Sequence, residues 1–142
     1  YVARGGSTSA YPWGDKAADG CPFMNGTDRT FRSKYPSLSY VEELGCTDGA
    51  LNTAPVGSYR PNAFGVHDMI GNVGEWVEDC SAPSYEGLGS SPSPRVGPCA
   101  KRVVRGGSWG TIARQLRVAE RLNYTPTDVD DSIGIRVART LP

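Results

Sequence analysis

No stretch of the 142-residue chain approaches the roughly 20 consecutive apolar residues that a membrane span needs. Neither sign of charge is in excess: 15 Lys and Arg face 15 Asp and Glu. That balance argues against a surface for nucleic acid or anionic lipid, which needs basic residues in surplus. Histidine is scarce. His67 stands alone, so a three-histidine metal centre cannot be built from this chain. No two cysteines have the C-x-x-C spacing of a zinc or dithiol redox site. Ser108 lies in G-G-S-W, not in the G-x-S-x-G of a nucleophile elbow. No internal repeat is visible, and residues 1–142 read as a single domain.

Glycine and proline, by contrast, are abundant, at 18 and 11 residues spread without a period. Aromatic and apolar residues remain plentiful, so the chain reads as a globular domain rich in loops and turns rather than as a disordered one. Such a fold leaves much backbone outside ladders and helices. Side chains, water or metal ions must satisfy it. Four cysteines, Cys21, Cys46, Cys80 and Cys99, allow three disulfide connectivities. Cys21–Cys46 and Cys80–Cys99 are favoured, because each closes a Gly-, Pro- or Ser-rich excursion between better-patterned segments. Loops of that size contribute about 3 kcal/mol each in the chain-entropy model. Two disulfides imply an oxidising compartment: periplasm, cell surface or exterior. The competing reading is four buried free thiols.

Along the chain, residues 1–15 read as the end of a helix entering a Gly-rich turn. Residues 16–50 show no clear period and carry DG and NG turn signals. Residues 53–66 read as extended and turn-broken. Residues 67–79 begin as a short helix or turn and end in a strand, EWVED. Residues 81–98 read as a long surface loop, and 101–109 as a strand followed by a turn. Residues 112–118 read as a strand or short helix, and 123–132 as a polar loop. Ile133, Ile135 and Val137 alternate, which predicts a half-buried final strand over 133–139.

Five blocks then fall in order: YPWGD (11–15), TAPVGSYRPNAFGVHDMIGNVGEWVEDC (53–80), RVVRGGSW (102–109), LRVAER (116–121) and IGIRVAR (133–139). Together they resemble the formylglycine-generating-enzyme, or sulfatase-modifying-factor, family over nearly the whole chain. The resemblance implies an α+β, coil-rich fold related to the C-type lectins. It also implies that Tyr1–Gly6 matches the tail of a family helix. On that reading the chain is the C-terminal portion of the fold, and the N-terminal half is a missing segment or a partner chain.

The resemblance carries over two calcium sites. One uses the side chains of Asp68 and Glu75 with the carbonyls of Gly71 and Val73. The other uses the side chains of Asn25 and Asp48 with the carbonyls of Gly26 and Ala50. Hard oxygen donors in flexible geometry are what calcium takes. Asn25-Gly-Thr27 and Asn123-Tyr-Thr125 also fit the glycosylation sequon, and a glycan on Asn25 would exclude calcium there.

The family's enzyme activates oxygen with copper(I) held by two thiolates, soft ligands for a soft ion. Those cysteines follow R-G-G-S. Here Thr111 stands at the first of them, and no cysteine follows Cys99. Gly74 stands where the family's G-N-V-W-E-W has tryptophan, which implies a reshaped cleft. The expected ligand cleft comprises Gly74, Ser108, Trp109, Thr111 and Arg117, with a peptide or glycan as ligand. Trp13 and Trp76 read as core anchors, and Trp109 as the one aromatic that could stack on a ligand. Arg105, Arg117, Arg121 and Arg136 read first as guanidinium forks tying loops together.

The expected function is therefore a calcium-stabilised extracytoplasmic binding, accessory or scaffold subunit without formylglycine-generating activity. The alternative is a divergent oxidoreductase of the same family, similar to the sulfoxide synthases or the pyoverdine-maturation protein. It would draw its metal from another chain or domain.

Overall fold

A computed structural model of the chain describes residues 1–84 and 93–139. Regular structure is sparse. One helix, α1 (Arg29–Lys34), and four strands, β1 (Gly74–Cys80), β2 (Arg102–Arg105), β3 (Leu122–Tyr124) and β4 (Ile133–Gly134), are joined by coil and short 3-10 turns. The strands form one sheet in the order β3-β2-β1-β4. β1 pairs antiparallel with β2, Trp76 opposite Val104, and parallel with β4, Gly74 opposite Ile133. β3 closes the other edge, with Asn123 opposite Val103.

The core lies in the coil rather than on the sheet. Tyr11, Cys21, Met24, Leu44, Ile70, Ala113 and Leu116 form one buried cluster. Three of them come from the stretch without a period, residues 16–50. The Cys21–Cys46 disulfide runs through it, and Cys80–Cys99 ties the end of β1 to the loop before β2. The favoured pairing is the one present. The Tyr11–Gly14 turn closes with two backbone hydrogen bonds, and Trp13 stacks between Tyr11 and Phe23. The Tyr11 hydroxyl donates to the Ala113 carbonyl at 2.9 Å, tying the first block to the last third of the chain. Gly26 is needed for close approach: a Cβ there would meet Leu116 at 2.9 Å and Leu44 at 3.0 Å.

Several expectations change. Residues 1–15 hold turns and no helix. α1 went unseen because six residues are too few to show a 3.6-residue period, and only Phe31 is buried on it. Its start is nonetheless well defined, since the Asp28 carboxylate accepts from the Phe31 amide at 2.7 Å. β3 takes three residues from the edge of the polar loop, held by β2 rather than by its own pattern. The final strand is two residues long, not seven. Ile135 and Val137 are 78% and 87% exposed, because among the described residues the pairing with β1 ends at Gly134. Of the expected surface loop, residues 85–92 lie outside the described residues.

Candidate functional site

The bend between Asp68 and β1 organises the site. Asp68, Gly71 and Asn72 all have left-handed backbone, with φ of 55°, 76° and 65°. Glycine, asparagine and aspartate are the residues that tolerate that region. Asn72 anchors the bend to its surroundings. Its side chain accepts from the Ala54 amide at 2.9 Å and donates to the Ala54 carbonyl at 3.1 Å. Its own amide donates to the Asn25 carbonyl at 2.8 Å, and its carbonyl accepts from the Trp109 amide at 2.9 Å. One buried asparagine thus joins four distant segments. Gly71 sits so close to Asn25 that a Cβ would land on the Asn25 carbonyl.

Two oxygen clusters share this wall. In the first, Asn25 is wholly buried. Its side-chain nitrogen donates to the Asn52 carbonyl at 2.6 Å. Its side-chain oxygen is buried with no hydrogen-bond partner. The Asp48 carboxylate accepts from the amides of Gly26 and Ala50, at 3.0 and 2.9 Å. Burial pushes the Asp48 carboxyl up from its ordinary value. Those two amides pull it back, and the charge of Asp28 adds to the rise. Tyr59 is pushed up to about 12, first by burial and then by Asp48, Asp28 and Asp68. Negative charge from Asp28, Asp48 and Asp68 is therefore concentrated around Tyr59. Asn25, Gly26, Asp48 and Ala50 are brought together by these bonds. The burial of Asn25 also removes it as a glycan acceptor in the folded chain, whereas Asn123 is exposed on β3.

In the second cluster, Asp68, Gly71, Val73 and Glu75 line one groove of about 420 Å³, together with Val56, His67 and Ile135. One oxygen of Asp68 accepts from the Gly57 amide at 2.6 Å. The other is buried and without a partner. Among the described residues these two orphaned oxygens, one in each cluster, are the unsatisfied buried side-chain atoms. An unpaired buried acceptor costs about 1–3 kcal/mol, so its presence calls for a donor or a cation. No three His, Cys, Asp or Glu side chains converge among the described residues. A cation here would have to take backbone carbonyls as well, a mixture that suits a hard ion. Glu75 is already engaged: the Arg136 Nε donates to both its oxygens at 2.8 and 3.0 Å. His67 directs its Nδ1 to the Tyr59 carbonyl at 2.7 Å, a structural contact.

Of the residues expected to line a ligand cleft, Gly74, Ser108 and Thr111 are buried, Trp109 is half-buried and Arg117 is exposed. Gly74 is buried, and a Cβ there would meet Val104 at 2.7 Å, so the lost tryptophan leaves packed space rather than a wider cleft. Ser108 and Thr111 are buried and bonded to each other, with the Ser108 amide donating to the Thr111 hydroxyl at 2.8 Å. The tight G-G-S-W turn turns both hydroxyls inward. Trp109 is half-buried against Phe31, ring centres 6.0 Å apart. Arg117 is exposed and spends its guanidinium on the Arg114 carbonyl and Glu120. All four cysteines are in disulfides, so no thiolate exists to take a soft metal.

Sequence reasoning missed Asn72, Asn52 and Tyr59. The Gly-Asn pair at 71–72 was a signal for left-handed backbone. Nothing local marks Asn52 or Tyr59, whose roles come from segments far away in sequence.

Comparison with known proteins follows the same blocks. The family described as "Sulfatase-modifying factor enzyme 1-like domain" matches residues 1–141. The chain is 36% identical to a formylglycine-generating enzyme of Streptomyces coelicolor, over 97% of this chain and 43% of the relative. It is 30% identical to the inactive C-alpha-formylglycine-generating enzyme 2 of Bos taurus, over 97% of this chain and 40% of the relative. Among solved structures, PvdO from Pseudomonas aeruginosa superposes with a TM-score of 0.75 at 35% identity, covering 95% of this chain and 47% of PvdO. The chain thus spans less than half the length of these relatives.

Proposed function

The chain belongs to the sulfatase-modifying factor enzyme 1-like family, and from that membership we propose that it is a member without formylglycine-generating activity, serving as a calcium-stabilised extracytoplasmic binding or scaffold domain. The observation that carries this reading is the fate of sulfur. Copper(I) of the family's enzyme needs two thiolates, and here every cysteine is committed to a disulfide. Thr111, at the position of the first thiolate, is a hard oxygen locked to Ser108. A relative named as inactive matches 97% of the chain, which agrees with a lost reaction.

Calcium is supported by the donor sets. Asn25 and Asp48 side chains with the Gly26 and Ala50 carbonyls would hold one ion. Asp68 and Glu75 side chains with the Gly71 and Val73 carbonyls would hold another. Each set contains a buried oxygen lacking a donor. When bound, calcium supplies positive charge and multiple oxygen contacts, and no redox chemistry. The residues then do structural work: they fix the 25–28, 48–54 and 68–75 segments against one another in a fold with little ladder to hold them.

An extracytoplasmic location is supported by two disulfides. Among the described residues no helix is long and apolar enough to cross a membrane. The exposed Tyr1, Ile135 and Val137 are the surface on which the N-terminal half of the fold, or a partner chain, would pack.

Metal analysis of the purified protein together with an oxygen-consumption assay on a cysteine-containing peptide tests the reading. Calcium alone and no oxygen uptake are expected. Stoichiometric copper or iron with oxygen uptake would overturn it in favour of the divergent oxidoreductase.

A further inference from the structure

We infer that Arg136 is a built-in competitor for the cation at Asp68 and Glu75, so that calcium and the segment after β4 contend for the Glu75 carboxylate. The inference rests on the calcium reading of that groove. The Arg136 Nε donates to both oxygens of Glu75, at 2.8 and 3.0 Å. One of its terminal nitrogens donates to the carbonyls of His67 and Asp68, at 3.0 and 3.2 Å. A guanidinium thus occupies the Glu75 carboxylate that a hard cation would use and anchors itself on two neighbouring carbonyls outside the Gly71 and Val73 pair. The fork satisfies Glu75 without a metal. A divalent ion entering the same groove meets a fixed positive charge and is repelled by it.

The match between Arg136 and the donor set is incomplete. The guanidinium reaches the Asp68 carbonyl, whereas one oxygen of the Asp68 carboxylate stays buried without a partner. A residue that merely completed a structural ion pair would leave no such demand. Arg136 takes up Glu75 while the Asp68 carboxylate in the same groove keeps an acceptor that a donor or a cation could meet. Its side chain is 38% exposed and that of Glu75 16%, so the guanidinium has a route to solvent when displaced.

Displacement has a consequence for the chain. β4 is two residues long, and Ile135 and Val137 are largely exposed. Among the described hydrogen bonds, it is the Arg136 fork that pins this segment to the groove. A cation taking Glu75 therefore loosens residues 135–139 while it tightens the 68–75 bend. The first cluster has no part in the Arg136 hydrogen bonds, so an ion there meets no competition from that guanidinium.

Calorimetric titration of the full chain with calcium tests this, with Asp68→Asn and Asp48→Asn assigning each transition to its cluster. Arg136→Ala is expected to tighten the Asp68-dependent transition by about tenfold, as expected for removing one positive charge beside a divalent ion. It is expected to leave the Asp48-dependent one unchanged. An unchanged or weakened Asp68-dependent affinity overturns the competitor role while leaving the calcium reading intact, because Arg136 would then be orienting Glu75. No Asp68-dependent transition in either wild type or variant overturns both. Hydrogen exchange of the wild-type chain needs no variant: calcium should speed exchange over residues 135–139, and unchanged or slower exchange there sinks the inference.

Discussion

At Asn25 and Asp48 the charge beside the carboxylate is another carboxylate, Asp28, whereas at Asp68 and Glu75 it is the guanidinium of Arg136. The two clusters share a wall, since the Asn72 amide donates to the Asn25 carbonyl and Gly71 packs against it. They differ in enclosure as well. Asn25 and Asp28 are fully buried, while the second cluster opens into a groove. A coil-rich fold gathers more oxygen acceptors than its own amides can satisfy. In the first cluster the Asn25 side-chain oxygen stays without a partner, and in the second Arg136 takes up Glu75 while an Asp68 oxygen stays without one.

Breaking the shared wall should have the largest effect. Gly71→Ala would press a Cβ into the Asn25 carbonyl and force left-handed backbone on alanine. We expect a loss of about 4 kcal/mol, read by urea unfolding, because backbone cannot give way there. Serine at both Cys21 and Cys46 should cost about 3 kcal/mol by the same measurement, since that bridge runs through the core beside the first cluster. Chelating calcium from the wild type should lower stability by about 2–3 kcal/mol relative to calcium at a hundredfold excess over its dissociation constant. Asp48→Asn should remove most of that response if the first cluster is the stronger site. An equal response from both clusters would erase the distinction between them.

Alkaline titration sharpens the comparison further. The raised Tyr59 means that the folded chain keeps a proton the unfolded chain releases near 10.0. Stability should therefore fall as pH rises from there to about 12. Calcium should lower the Tyr59 titration, seen as tyrosinate absorbance, by offsetting Asp48, Asp28 and Asp68. Arg117→Ala should matter least, within about 0.5 kcal/mol, because its pair with Glu120 is a surface one.

The strands EWVED and RVVR were legible because each carries a short run of strand-favouring residues bounded by turns, and the disulfide pairing because each bridge closes one excursion. The family was legible from blocks of turn residues, whose glycines and asparagines answer backbone demands that local sequence displays. Residues 133–139 misled for a physical reason. Alternation predicts a buried face only where something covers that face, and pattern carries no information about the cover. The placement of Ser108 and Thr111 was likewise not legible locally: their turn folds the two hydroxyls inward onto each other.

The sequence by itself determined the loop-rich class, the lack of any cysteine after Cys99 and the oxygen donors available, since these depend on which residues exist. Only the tertiary structure decided which oxygens are left without partners, that Asn72 joins four segments, and that Arg136 lies on Glu75. Those facts depend on contacts between residues up to 61 positions apart, and burial at such contacts is set by the whole packed chain rather than by any local stretch of it.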